Sequence, residues 1–309
     1  MYYAVWAPHS FTSPKTVMIG RGKSFAAAAE ALQDSGVISN AFLFRVVGKA
    51  FGVRSVRAGK YQFTSGVSTI DLIRDLQEGA SAVAFFVTIP EGFKGVQIAH
   101  TLRREVGIDS AKFMGLFADA RQFGLPPHTK TLEGYLFPDT YDFAWGEDEH
   151  AIIERMVHRF QKFFVDSLAR RAKAMKLSMN EVMTMASIVE GEAVKADERP
   201  VIAGLYYNRL RIKMRLEADP TVQYAIADGP RRLTYEDLKM ASPYNTYRVQ
   251  GLPPGPINNP GKASILAALY PSKNKFLFFV ADGTGAHRFA RTYDEHMKNV
   301  REYRKHRSL

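Results

Sequence analysis

The hydrophobic pattern opens with three short units, each a β-type run followed by a helical one. Thr16-Val17-Met18-Ile19 is apolar, Gly20-Arg21-Gly22 reads as a turn, and Ser24 is placed to cap a helix. That helix carries Phe25, Ala28, Ala29 and Leu32 and stops near Gly36. In the second unit Lys60-Tyr61-Gln62-Phe63 alternates as a strand, and Ser68 starts a helix bearing Ile70, Leu72, Ile73 and Leu76 up to Gly79. In the third, Val83 to Ile89 is apolar, Pro90-Glu91-Gly92 turns, and Val96, Ile98, Ala99 and Leu102 lie on a helix. Glu91 reads as a turn or capping carboxylate rather than a site residue. Units of this kind predict a small α/β or α+β region over residues 15 to 105.

The pattern then lengthens. Residues 106 to 130 read as helical through Phe113, Leu116, Phe117 and Phe123, until Pro126-Pro127 marks a domain joint. Residues 132 to 141 have no clean period; their aromatics beside Glu133 and Asp139 suit either a sugar-binding wall or a packed loop. Residues 149 to 176 read as one long amphipathic helix with Ile152, Ile153, Met156, Phe160, Phe163 and Phe164 inward. Ser178 and Glu181 have capping-box spacing, Val182, Ala186 and Val189 form a stripe, and Gly191 marks the helix end. A further helix starts at Glu198-Arg199-Pro200, and its basic end, with Arg209, Arg211, Lys213 and Arg215, suits an anionic polymer. Residues 241 to 247 and 251 to 261 are rich in Pro, Gly and Asn and read as ordered site walls. Phe276 to Val280 reads as a buried strand, with Asp282-Gly283-Thr284-Gly285 as its hairpin turn.

Composition narrows the function. A chain of 309 residues with 46% hydrophobic content has room for two domains and a sizeable core. The net charge of +11 favours anionic partners, but the cations are dispersed except near the C-terminus. No arginine-rich arm or zinc-finger spacing appears, so no nucleic-acid partner is expected. With no cysteine, disulfides, thiolate catalysis and Cys-bound zinc are excluded. Gly22-Lys23-Ser24 resembles the end of a phosphate loop, but Val17 stands where that loop needs glycine. His287 and His296 lack metal-ligand spacing, and His287 reads as a structural or groove residue. No cofactor or metal is expected. No run is long enough for a membrane helix, and the aromatic start Met1-Tyr2-Tyr3 fits either a first strand or the flank of a preceding anchor.

The candidate chemistry lies at Glu190 and Glu192. Side chains two apart on a helix diverge by about 200°, so one cleft can use only one of them. A helix C-terminus and partial burial both raise a carboxyl pKa and keep its proton available for donation. The helical wheel sets the two acids on opposite margins of the apolar stripe and does not choose between them.

Several stretches in order resemble the YceG-like (MltG) endolytic murein transglycosylases. They are EGYLFPDTY (133–141), ASIVEGEA (186–193), ERPVIAGLYYNRLRIKMRLEADPTVQYA (198–225), SPYNTY (242–247), GLPPGPINNPG (251–261) and FLFFVADGTGAHRFARTYDEH (276–296). The units containing VMIGRGKSF and RAGKYQF resemble that family's LysM-like portion. The resemblance implies an α+β protein with a membrane-proximal segment (1–14), a LysM-like substrate-binding region (15–125) and a mixed α+β transglycosylase domain (126–309). The implied activity is a non-hydrolytic cut within peptidoglycan glycan strands by one carboxylic acid. By comparison with other lytic transglycosylases, whose glutamate precedes a small residue, Glu192 before Ala193 is the first candidate and Glu190 the second. Asp219, Thr221, Gln223, Tyr224, Ser242, Tyr244, Asn245 and Tyr247 are the implied groove residues, whereas Glu217 departs from the family pattern. Further expectations are cell-wall synthesis enzymes as partners, an inner-membrane anchor preceding this chain and a catalytic domain in the periplasm. The rival expectation is a catalytically silent peptidoglycan-binding protein.

Overall fold

The computed structural model describes residues 5–307 except 54, 80, 81, 84, 128, 227, 228 and 230. The aromatic start at residues 1 to 4 lies outside the described residues. The chain forms two compact units. One comprises the chain up to Thr88 with Ala99–Phe113 and Thr140–Ile152; the other comprises Ile89–Ile98, Met114–Asp139 and Ile153–Leu309.

In the first unit β1 (Lys15–Ile19) pairs antiparallel with β2 (Gly59–Phe63), Val17 facing Tyr61. The helices α1 (Phe25–Asp34) and α2 (Ala41–Ala50) lie between them in sequence, and α3 (Thr69–Glu78) follows. Ser24 and Ser68 cap α1 and α3 as their positions predict, each accepting a backbone N–H of the first turn. Val17, Ile19, Leu32, Phe44, Tyr61, Leu72 and Leu76 form the core. A second ribbon pairs β3 (Phe85–Thr88) with β4 (Thr140–Phe143). Helix α2 has Asn40 as N-cap and buries Phe44 and Val47, yet leaves Phe42 72% exposed.

Three helices, α4 (Gly95–Val106), α5 (Ser110–Phe117) and α6 (Glu149–Phe163), contribute residues to both units. The second unit continues with α7 (Asp166–Ala174), α8 (Met179–Glu192), α9 (Arg199–Arg211), α10 (Asp219–Ala225), α11 (Tyr235–Lys239) and α12 (Lys262–Leu269). The hairpin β5 (Phe278–Ala281) and β6 (His287–Ala290) follows, then α13 (Tyr293–Arg307). Helix α8 is central: Val182 to Val189 are all buried, and it packs against α7, α9, α10 and α12. Its capping box forms at Ser178 and Glu181. The polar members of the buried stretch are satisfied, since Thr184 donates to the Asn180 carbonyl and Ser187 to that of Thr184.

Several expectations change. The helix read over 149 to 176 is two, because Val165 is extended and Asp166 starts α7, which buries Leu168 and Ala172. Among the described residues from 107 to 130 the regular structure is α5 and a 3-10 turn at Ala120–Phe123, which ends at Gly124 with φ +65°. The run before the last hairpin starts its ladder at Phe278 and is half-buried, because a two-stranded ribbon covers one face. Segment 132 to 137 is interior rather than a sugar platform: Glu133, Tyr135, Leu136 and Phe137 are all buried. Among the described residues no helix is long and apolar enough to cross a membrane.

That interior segment is held by Asn259. Its Oδ1 accepts the N–H groups of Gly134 (3.0 Å) and Leu136 (2.9 Å), while its Nδ2 donates to the Phe93 carbonyl and to Glu133 (both 2.9 Å). Replacing it with Ala strands the Gly134 and Leu136 N–H groups, each costing about 1–3 kcal/mol when left unpaired in the interior, whereas the Phe93 carbonyl keeps the Asn259 N–H and Glu133 keeps the Gly95 N–H. Asn259→Ala is therefore expected to destabilise the fold by about 3 kcal/mol or more, read from denaturant unfolding midpoints. A change below about 1 kcal/mol would show that the segment is held by packing alone.

Candidate functional site

Glu190 and Glu192 leave α8 in different directions, as their two-residue spacing requires. Glu190 turns to Arg199, with its Oε1 3.3 Å from the guanidinium, and its Oε2 accepts the Gly261 N–H at 2.9 Å. Both side chains of that pair are largely buried. Glu192 is the last residue of the helix, with no basic residue in the final turn to offset the dipole. It lines a cavity of about 290 Å³ together with Arg209, Asp219, Tyr247 and the C-terminal residues Phe278 and His296.

The environment of Glu192 favours its protonated form. Burial pushes its carboxyl up to about 7; the Asp219 charge adds to this, while the hydrogen bond from Tyr206 and the charge of Arg209 oppose it. The Tyr206 hydroxyl donates to Oε1 at 2.8 Å and fixes the carboxyl's orientation. Burial, and then the Glu192 charge, hold the Tyr206 phenol well above its ordinary range, so it stays a donor. Gly191 is required beside it. A Cβ there would stand 2.7 Å and 2.9 Å from the Pro220 Cβ and Cγ, where α10 crosses α8.

The cavity brings together three of the ten residues singled out from sequence: Glu192, Asp219 and Tyr247. The Tyr247 hydroxyl donates to Asp219 Oδ1 at 2.6 Å. The others lie outside its lining. Thr221 and Asn245 are fully buried; the Thr221 hydroxyl bonds the Ala218 carbonyl and Thr246, and the Asn245 amide donates to the Leu238 and Met240 carbonyls. Ser242 Oγ accepts the Tyr244 N–H at 3.2 Å. Gln223 clasps the Arg231 backbone through both ends of its amide. Tyr224 and Tyr244 pack together with ring centroids 4.8 Å apart, and the Lys94 ammonium sits 5.4 Å over Tyr224.

A second buried acid, Glu133, also carries a raised pKa, pushed up to about 7 by burial despite hydrogen bonds from Gly95 and Asn259 and the nearby Lys94. It is 4% exposed, and its bonds tie backbone segments together. Arg209, read from sequence as part of a basic helix end suited to an anionic polymer, is buried. Its guanidinium donates to the carbonyls of Leu277 (2.6 Å) and Leu216 (2.8 Å), because the C-terminal hairpin packs over the end of α9. His287 is engaged by Glu198, with Nδ1 2.7 Å from the carboxylate, and no group that could hold a metal occurs among the described residues. The C-terminal wall of the cavity escaped sequence reasoning. Its only local signals are aromatics in a hairpin and one histidine a turn into a helix.

Comparison with known proteins agrees with this architecture. The profile of the YceG-like family matches residues 17–302. An endolytic murein transglycosylase of Bacillus subtilis (strain 168) is 34% identical over 305 residues, covering 93% of this chain and 84% of that relative. One from Streptococcus pneumoniae serotype 2 (strain D39) is 29% identical, covering 93% of this chain and 58% of the relative's length. A crystal structure of a YceG-like protein from Listeria monocytogenes matches with a TM-score of 0.65 and 34% identity, over 92% of this chain and 98% of that one. The motifs read in order along the sequence and the match over most of its length lead to one conclusion: the chain belongs to the YceG-like family.

Proposed function

We propose that this protein is an endolytic murein transglycosylase that cuts within peptidoglycan glycan strands, with Glu192 as its acid and base. The observation that carries the reading is a single oriented carboxyl, raised to about 7 and lining a cavity at a helix end. A carboxyl poised near neutrality can give a proton and take one back at the same pH. In the forward step Glu192 protonates the glycosidic oxygen as the bond to C1 of the N-acetylmuramic acid unit breaks. Its carboxylate then removes the proton from that sugar's 6-hydroxyl, whose oxygen bonds C1 and closes a 1,6-anhydro ring. Atoms and protons balance without an activated water or a covalent enzyme intermediate, unlike ordinary glycosidases. Tyr206 keeps the carboxyl aimed through both steps, and Asp219 with Tyr247 forms the adjoining polar edge. The relatives named as endolytic murein transglycosylases support the same reading.

We place the protein's work at the outer face of the cytoplasmic membrane, beside the cell-wall synthesis enzymes whose strands it would terminate. Digestion of purified sacculi tests the proposal: new 1,6-anhydro ends should appear within strands, with the rate falling above pH about 7 as Glu192 loses its proton. Asp219 in the same cavity supplies a second reading, hydrolysis with an activated water, which would instead yield reducing ends. A silent binding protein would produce no new ends.

A further inference from the structure

The C-terminal wall of the Glu192 cavity is aromatic. The His296 ring stacks on Phe278 at 5.3 Å between centroids and 22° between planes, and Tyr293 meets the same ring edge-on at 6.0 Å. Tyr293 is 62% exposed, so its ring is covered by little of the protein. Both residues line the cavity that holds Glu192.

His296 has an unsettled account within the protein. Its Nδ1 is buried and has no partner among the described residues. Native structures pair nearly all such atoms, and the exceptions call for a reason. Burial, and then the charge of Arg209, lower the His296 pKa, so the imidazole stays neutral with one N–H donor and one lone pair. Stacking on Phe278 holds the ring in one plane. A neutral ring that can donate and accept suits a sugar hydroxyl or acetamido group, and an exposed phenol suits the C–H face of a pyranose.

We infer that Tyr293 and His296 form a saccharide-binding subsite of the Glu192 cavity, Tyr293 stacking on a sugar ring and His296 hydrogen-bonding its polar rim. This rests on the function proposed above, because the ligand is the glycan strand itself. The alternative is a purely structural wall, in which His296 only packs on Phe278.

The test uses the full chain carrying Glu192→Gln, so that strands bind without being cut, and soluble uncrosslinked glycan strands titrated by calorimetry. Tyr293→Ala and His296→Ala should each weaken binding by about tenfold, the loss expected for one good contact. Tyr293→Phe should recover the affinity lost in Tyr293→Ala. Tyr270→Ala, an exposed ring outside the cavity lining, serves as the control and should bind like the parent. If both alanine variants keep the parent's unfolding midpoint and its affinity, the subsite is wrong while the proposed activity stands. If His296→Ala fails to fold, the exposed Tyr293 decides the matter alone. If the parent binds no strand and the unsubstituted chain forms no anhydro ends, the proposed function falls and this subsite with it.

Discussion

Glu192→Gln is expected to lower the formation of anhydro ends by about 10³-fold, within the range that a general acid supplies. Glutamine keeps the shape and can still accept from Tyr206, but it has no proton to cycle. Glu190→Gln is expected to act differently. It removes one charge of a largely buried ion pair and leaves Arg199 without that partner, costing about 1–3 kcal/mol of stability. Its rate should stay within about tenfold of the parent at temperatures where the protein is folded. The two variants also separate by pH. The Glu192 pKa is raised from 4.5 to about 7, so its contribution to stability is complete below about 4.5 and is lost as pH rises through 7. Glu192→Gln escapes that loss, and its stability relative to the parent should rise by up to about 3 kcal/mol between pH 5 and pH 8. Side-by-side sacculus digestion and chemical unfolding at both pH values measure all of this. An inactive Glu190→Gln beside an active Glu192→Gln would falsify the assignment.

The second large effect is expected from one methyl group. Gly191→Ala places a Cβ within 3 Å of the Pro220 ring, and a proline near the start of α10 cannot swing aside as a flexible side chain would. Either α10 moves away from α8 or the last turn of α8 rotates, and both displace Glu192 relative to Asp219. Overpacking of this kind costs about 1–3 kcal/mol, and a shift of about 1 Å at a reacting group costs about 10² in rate. The expected result is a folded variant with a modestly lower melting temperature and a rate reduced by about two orders of magnitude. A rate equal to the parent's would mean that the crossing has slack which the 2.7 Å approach denies.

What could be read in advance was whatever local chemistry determines. Ser178 and Glu181 form their capping box because both partners lie within one turn. The divergence of Glu190 and Glu192 follows from helical phase alone, although which of them faces a cavity depends on Arg199, Gly261 and Tyr206. Helix α2 was hidden because the exposed Phe42 and Val46 blur its period. Glu133 suited either a sugar-binding wall or a packed loop; its interior setting comes with partners at Gly95 and Asn259, far away in sequence. Asn245, in a stretch read as an ordered wall, and Thr221 were both read as groove residues; their polar atoms are instead taken up by neighbouring carbonyls and by Thr246. His296 gave only a weak local signal, because its significance arises only when α13 packs on the β5–β6 hairpin and sets the ring on Phe278.

That packing bears on when the protein can act. Glu192, Tyr206 and Asp219 all precede Phe276, whereas Phe278, Tyr293 and His296 come after it. Arg209 needs the Leu277 carbonyl to satisfy its buried guanidinium, so the hairpin completes the fold as well as the cavity wall. Domains form progressively as a chain emerges, N-terminal parts first. A partly synthesised chain thus carries the acid without the hairpin and helix that complete its cavity. Vectorial synthesis itself withholds a finished site until the hairpin and the helix after it have been delivered.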